Sequence, residues 1–129
     1  MIDQHGEVQL CYENNIIRAT LIGAFNEQGA IQYTEGIKHI VKSLKGQKYA
    51  ILVDNTKMQG GTPEAYQVLE EYNQWLNSTN IVAKAMVVRT LITTELIYNL
   101  SPSIKLQNTK TFKNKESALL WLKTLLSSE

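Results

Sequence analysis

The stretch from Tyr49 to Leu76, YAILVDNTKMQGGTPEAYQVLEEYNQWL, decides the fold, because an apolar run, a glycine-bearing polar segment and an amphipathic pattern follow without a break. Tyr49-Ala-Ile-Leu-Val53 is apolar throughout, as a parallel strand covered on both faces must be, and Asp54 is expected to end it. Asn55 to Gly61 then reads as a loop. Thr62 can cap a helix, Pro63 suits its first position, where no amide donor is needed, and Glu64 complements the positive end of the macrodipole. Ala65, Val68, Leu69, Tyr72 and Leu76 form the apolar stripe, with Gln67, Glu70, Glu71 and Gln74 turned to water. Ligands and partners of open α/β sheets bind at the carboxyl ends of the strands, which makes Asp54, Asn55 and Thr62 candidate contact residues.

Upstream, Glu7 to Glu13 and Ile16 to Ile22 are β-prone runs joined by Asn14-Asn15, and Asn tolerates the positive φ of a type I′ turn, so a hairpin is expected. Asn26 is placed to cap a helix carrying Tyr33, Ile37, Ile40, Val41 and Leu44, with Gly46 at its end. Gly36 in that helix allows a close approach to the sheet. Downstream, Ile81 to Val88 reads as a central strand interrupted only by Lys84, with Arg89 and Thr90 at its carboxyl end. Leu91 to Leu100 is a short helix with Ile92, Leu96 and Leu100 on one face, closed by Pro102. Ile104 to Thr109 is expected to be the last strand, with Lys105 and Gln107 on a solvated edge, and Asn114 caps a final helix carrying Ala118, Leu119, Leu122, Leu125 and Leu126. The order is ββαβαβαβα: an α/β fold with a mixed, mostly parallel sheet and an N-terminal β-hairpin.

A length of 129 residues fits one domain, 1–129, able to bury a core without disulfides or metal. With 43% hydrophobic and 19% charged residues the chain reads as globular, not disordered. Its net charge of +1 supplies no field that would draw nucleic acid or an anionic membrane. The one cysteine, Cys11, is expected to be a buried structural thiol, which suits a reducing compartment. Met1 to Gly6 lacks the basic and apolar regions of a secretory signal and no apolar run is long enough for a transmembrane segment, so a cytoplasmic protein is expected.

The order of elements, together with the closing segment Thr111-Phe-Lys-Asn-Lys-Glu-Ser-Ala-Leu-Leu-Trp-Leu122, resembles the STAS domain superfamily. Phe followed by Glu-x-Ala-x-x-Trp-Leu looks like the ending of the stand-alone SpoIIAA-like group, which is also compared with lipid-binding CRAL-TRIO domains. The resemblance implies a domain related to bacterial anti-anti-sigma factors. In those factors the loop before the corresponding helix carries an Asp-Ser-Ser/Thr-Gly motif whose first serine is phosphorylated. Here that place holds Gln59-Gly-Gly-Thr-Pro63, without the Asp-Ser pair. Thr62 is the hydroxyl at the helix start and hence the candidate phosphorylation site; capping is its favoured reading, since Glu64 would oppose a phosphate there.

No catalytic constellation stands out. Gly60-Gly61-Thr62 is followed by no lysine at Walker spacing, and neither histidine, His5 or His39, sits in a metal-ligand pattern. No cofactor and no metal are expected. Lys105, Lys110, Lys113 and Lys115 read as a solvated edge. Trp75 and Trp121, with Tyr66 and Tyr98, exceed what the core stripes need; they either close the core or mark a contact surface. The leading expectation is a non-catalytic cytoplasmic binding domain acting on a regulatory protein partner or as a homodimer. The alternative is a small carrier of an apolar, lipid-like molecule in a pocket between helices and sheet. An enzyme comes third, resting on Asp54, Arg89 and Thr62 gathering at one rim, and no reaction can be named for it.

Overall fold

The computed structural model describes residues 6–128, the side chains of 91–93 excepted; Met1 to His5 and the Ile92 side chain, both used in the sequence reading, lie outside the described residues. Strands β1 (Glu7–Glu13) and β2 (Ile16–Phe25) form the hairpin, where Asn14 and Asn15 take φ of 54° and 66°. Both values are those of a type I′ turn, whose twist matches that of the strands it joins. Then follow α1 (Glu27–Ser43), β3 (Tyr49–Gly61), α2 (Pro63–Leu76), β4 (Ile81–Val87) and α3 (Leu91–Leu100). A 3₁₀ turn at Pro102–Leu106, β5 (Thr109–Phe112) and α4 (Lys115–Ser127) complete the described chain.

The strands lie in the order β1-β2-β3-β4-β5, antiparallel in the hairpin and parallel thereafter. Because each right-handed crossover steps the same way along the sheet, α1, α2 and α3 fall on one face and α4 returns over the other. On the first face Ile17, Ala19, Leu21, Ile51 and Val53 meet Tyr33 and Ile37 of α1 and Tyr72 and Leu76 of α2. Gly36 is where α1 comes closest: a Cβ there would lie 2.6 Å from Leu10 Cδ1. On the second face the small residues Ala50, Ala83 and Ala85 let α4 settle through Ala118 and Leu122. That helix packs on β3, β4 and β5. The β1–β2 hairpin therefore keeps its second face open, and Cys11, expected to be buried, is exposed there.

Two boundaries differ from the sequence reading. β3 does not stop at Asp54 but runs on to Gly61, its far half pairing with the end of β2: Lys57 opposite Ile22, Met58 opposite Gly23, Gly61 opposite Phe25. Polar side chains are compatible with this because the far half is a ribbon with a strand on one side only. Register shifts accompany it, and Gly23 and Gly60 supply the positive φ, 87° and 102°, that a bulged ribbon uses. The last strand is Thr109–Phe112, not Ile104–Thr109, whose first half belongs to the 3₁₀ turn begun by Pro102. Gln107, expected at a solvated edge, is buried.

Candidate functional site

Side chains alternate along β3, so neighbouring candidates part company at Asp54. Asp54 points to the α4 face and Asn55 to the α2 face, both buried. Thr62 lies eight residues on, roughly 26 Å of extended chain at about 3.3 Å per residue. Its hydroxyl accepts from the Ala65 amide at 3.1 Å, the capping role expected of it. Asp54, Thr62 and Arg89 therefore do not gather, which removes the constellation on which an enzyme reading rested. The sheet order never reverses, so no topological switch point marks a crevice at Asp54.

Asp54 is instead a closed local unit. Its Oδ1 accepts from the Thr56 amide at 2.9 Å and from Thr56 Oγ1 at 2.6 Å, while Oδ2 pairs with Lys115 at 3.1 Å. Burial pushes its pKa up, but these bonds outweigh burial and the net direction is below the usual carboxylate value.

Arg89 leads to a different place. It lines an open cleft of about 280 Å³ with Met58, Gln59 and Gly60 of β3, Tyr66 of α2, and Leu96 and Ile97 of α3. This cleft is the rim formed where the β2–β3 ribbon projects past the end of β4. Leu96 stands 48% exposed beside it, and Leu100, one helical turn further along α3, is exposed as well. The tryptophans are not exposed together, for they lie on opposite faces. Trp75 packs against the α1–α2 core with the Lys38 ammonium 5.6 Å from its ring, and Trp121 packs on Phe112, ring centroids 5.6 Å apart, in the α4 core.

The densest polar cluster is one the sequence reading passed over. Lys84, noted only as a break in an apolar run, is 2% exposed and donates to Asn73 Oδ1 at 2.8 Å. Burial lowers its pKa to about 7. Asn73 Nδ2 reaches Leu69 O and Ser101 Oγ, both at 2.9 Å, and Gln107 Nε2 donates to Asn73 Oδ1 at 3.0 Å. Ser101 continues to Glu70 Oε1 at 3.2 Å, which also accepts from the Ser103 amide at 3.0 Å, while Ser103 Oγ bonds Oε2. Glu70, expected to face water, thus ties α2 to the start of the 3₁₀ turn. The apolar space beside Lys84 holds about 40 Å³, room for a few waters at most. Among the described residues no group of His, Cys, Asp and Glu is arranged to hold a metal. Among them no helix is long and apolar enough to cross a membrane.

The model of a family described as "Domain of unknown function (DUF7793)" matches residues 24–126. No curated protein matches the chain. Among solved structures, an uncharacterized protein of the DUF3478 family with a SpoIIAA-like fold, from Shewanella loihica PV-4, superposes with a TM-score of 0.69 at 15% identity. The match covers 95% of this chain and 97% of that one. An anti-sigma factor antagonist from Mycobacterium paratuberculosis gives 0.67 at 11% identity over 95% and 97% of the two chains. The anti-sigma factor antagonist SpoIIAA in its unphosphorylated form gives 0.61 at 8% identity over 88% and 94%. The chain thus has the SpoIIAA-like, STAS-type fold.

Proposed function

The chain belongs to the DUF7793 family, and on that premise we propose that it is a non-catalytic regulatory domain that binds another protein through the rim around Arg89. One observation carries this reading: an open cleft lined by the Arg89 cation and by the exposed Leu96 of α3, with exposed Leu100 one helical turn further along. Exposed leucines on one helix face beside an arginine at the mouth of a cleft suit a protein contact. The names of two structural neighbours, both anti-sigma factor antagonists, agree with a regulatory role. The same reading puts the protein in the cytoplasm, where exposed Cys11 stays reduced. A lipid carrier is less well supported, since the interior space of about 40 Å³ gives an acyl chain no chamber.

Affinity capture from the native host, quantified by mass spectrometry, tests the rim. A partner held by the wild type and by His39→Asp on exposed α1, but depleted at least tenfold by Leu96→Asp, supports the proposal. A captured set identical for all three contradicts it. If the partner is a second copy, light scattering gives twice the monomer mass, and Leu96→Asp returns it to one.

A further inference from the structure

The open second face of the β1–β2 hairpin meets the side of α4 in a groove of about 320 Å³, lined on the sheet by Gln9, Cys11, Arg18, Thr20 and Leu52 and on α4 by Lys115 and Leu119. We propose that this groove binds a small organic monocarboxylate, with Arg18 as its anchor. Arg18 is half-buried on β2, one strand in from the edge, its Nε enclosed and without an acceptor among the described residues, and the guanidinium makes no ion pair with any of them. That leaves the buried Nε without a partner although a carboxylate stands close by on the same face. Arg18 lies opposite Leu52 on β3 and Thr20 lies opposite Asp54, one pleat repeat further. Asp54 nevertheless spends both oxygens elsewhere, Oδ1 on Thr56 and Oδ2 on Lys115. The fold thus places a planar fork of donors in a groove and occupies the acid that lines it.

The chemistry of the groove selects the ligand class. Arg18 and Lys115 contribute two positive charges and Asp54 one negative, leaving a single positive charge to be matched, and Glu7 and Glu13 of the same strand face do not line the groove. A carboxylate matches that charge and accepts from a guanidinium in the bidentate manner; a phosphate dianion overshoots it. The Thr20 hydroxyl stands beside Arg18, and Leu52 and Leu119 supply an apolar wall for a short hydrocarbon body. The volume falls at the lower end of the roughly 300–1,000 Å³ of small-molecule sites. The groove is separate from the rim around Arg89, on the other face of the sheet, so either site can stand if the other fails.

The test is a titration of the ¹⁵N-labelled full chain with hexanoate, with 1-hexanol as the uncharged body and inorganic phosphate as an anion without a hydrocarbon body. Hexanoate is expected to shift the Cys11, Arg18, Thr20 and Lys115 amides saturably, and to bind at least tenfold more tightly than either control. Arg18→Gln should weaken it at least tenfold. Lys115→Gln, a change at an exposed helix position that leaves the core intact, should weaken it at least fivefold, because Asp54 is then released to pair with Arg18. Absence of saturation in the low-millimolar range, equal binding of hexanol or phosphate, or unchanged affinity in Lys115→Gln would each overturn the proposal.

Discussion

Asn73 on α2 presents Oδ1 to the Lys84 ammonium on β4 at 2.8 Å, inside the core and with the Tyr72 ring 5.3 Å from the same nitrogen. The amide also holds Ser101 and accepts from Gln107, so one side chain fastens the helix to a central strand and to the turn after α3. A lysine enclosed this way pairs with no carboxylate among the described residues, and burial therefore favours the neutral amine.

Stability should consequently rise with pH above neutrality. The Lys84 pKa falls from 10.5 to about 7 on folding, so between those values the unfolded chain binds the extra proton, and raising the pH removes that advantage. At about 1.4 kcal/mol per pH unit, the gain from about pH 7 to about pH 9 is about 2 kcal/mol. Near pH 10 the trend turns over, since Tyr33, raised by burial to about 12, then favours the unfolded chain. Urea unfolding across this range, compared with Lys84→Met, checks it: the difference between the two proteins should change with the sign given.

Replacing Asn73 by Leu leaves the lysine and Gln107 without their acceptor and should cost about 1–3 kcal/mol. The double variant Asn73→Leu with Lys84→Met exchanges the pair for apolar groups and should recover the part of the loss that comes from the lysine, leaving the part from Gln107. Additive losses in a double-mutant cycle would show the two residues to be uncoupled.

At Thr62 capping and phosphorylation make different predictions. Thr62→Ala should lose about 1 kcal/mol, while Thr62→Asp, which also caps, should stay within a few tenths. Equal stability of Thr62→Ala and the wild type would remove the capping role.

In acid, Asp54 sets part of the slope. Its folded pKa is lowered, so its contribution is present above the unfolded value near 3.8 and lost as pH falls through the folded one. Asp54→Asn should show a shallower loss of stability below about pH 4 in the same urea assay.

The helices and the parallel core were legible because periodicity and caps are local: Asn26, Thr62 and Asn114 each bond the amide three residues on. The far half of β3 was not. Asn55 to Gly61 has loop composition, and only a partner strand elsewhere in the sequence, Ile22 to Phe25, makes it a ribbon. Lys84 was hidden for a related reason, since its acceptor is eleven residues away on another element and a lone lysine in an apolar run carries no sign of being paired. Cys11 was misjudged because alternation does not say which face of a hairpin a later helix will cover, and α4 stops short of it. At the rim Arg89 was identified, but Leu96 with it only as a helix-face residue, since exposure depends on what α3 packs against.

The most direct measurement is site-specific photo-crosslinking in the native host, with a photoreactive amino acid placed at Leu96 and, as comparison, at Leu120, which is 68% exposed on α4 across the sheet. The account predicts a discrete protein adduct from position 96 that is absent from position 120 and is lost when Arg89→Glu is added. No adduct at 96, or the same adducts from both positions, would contradict it.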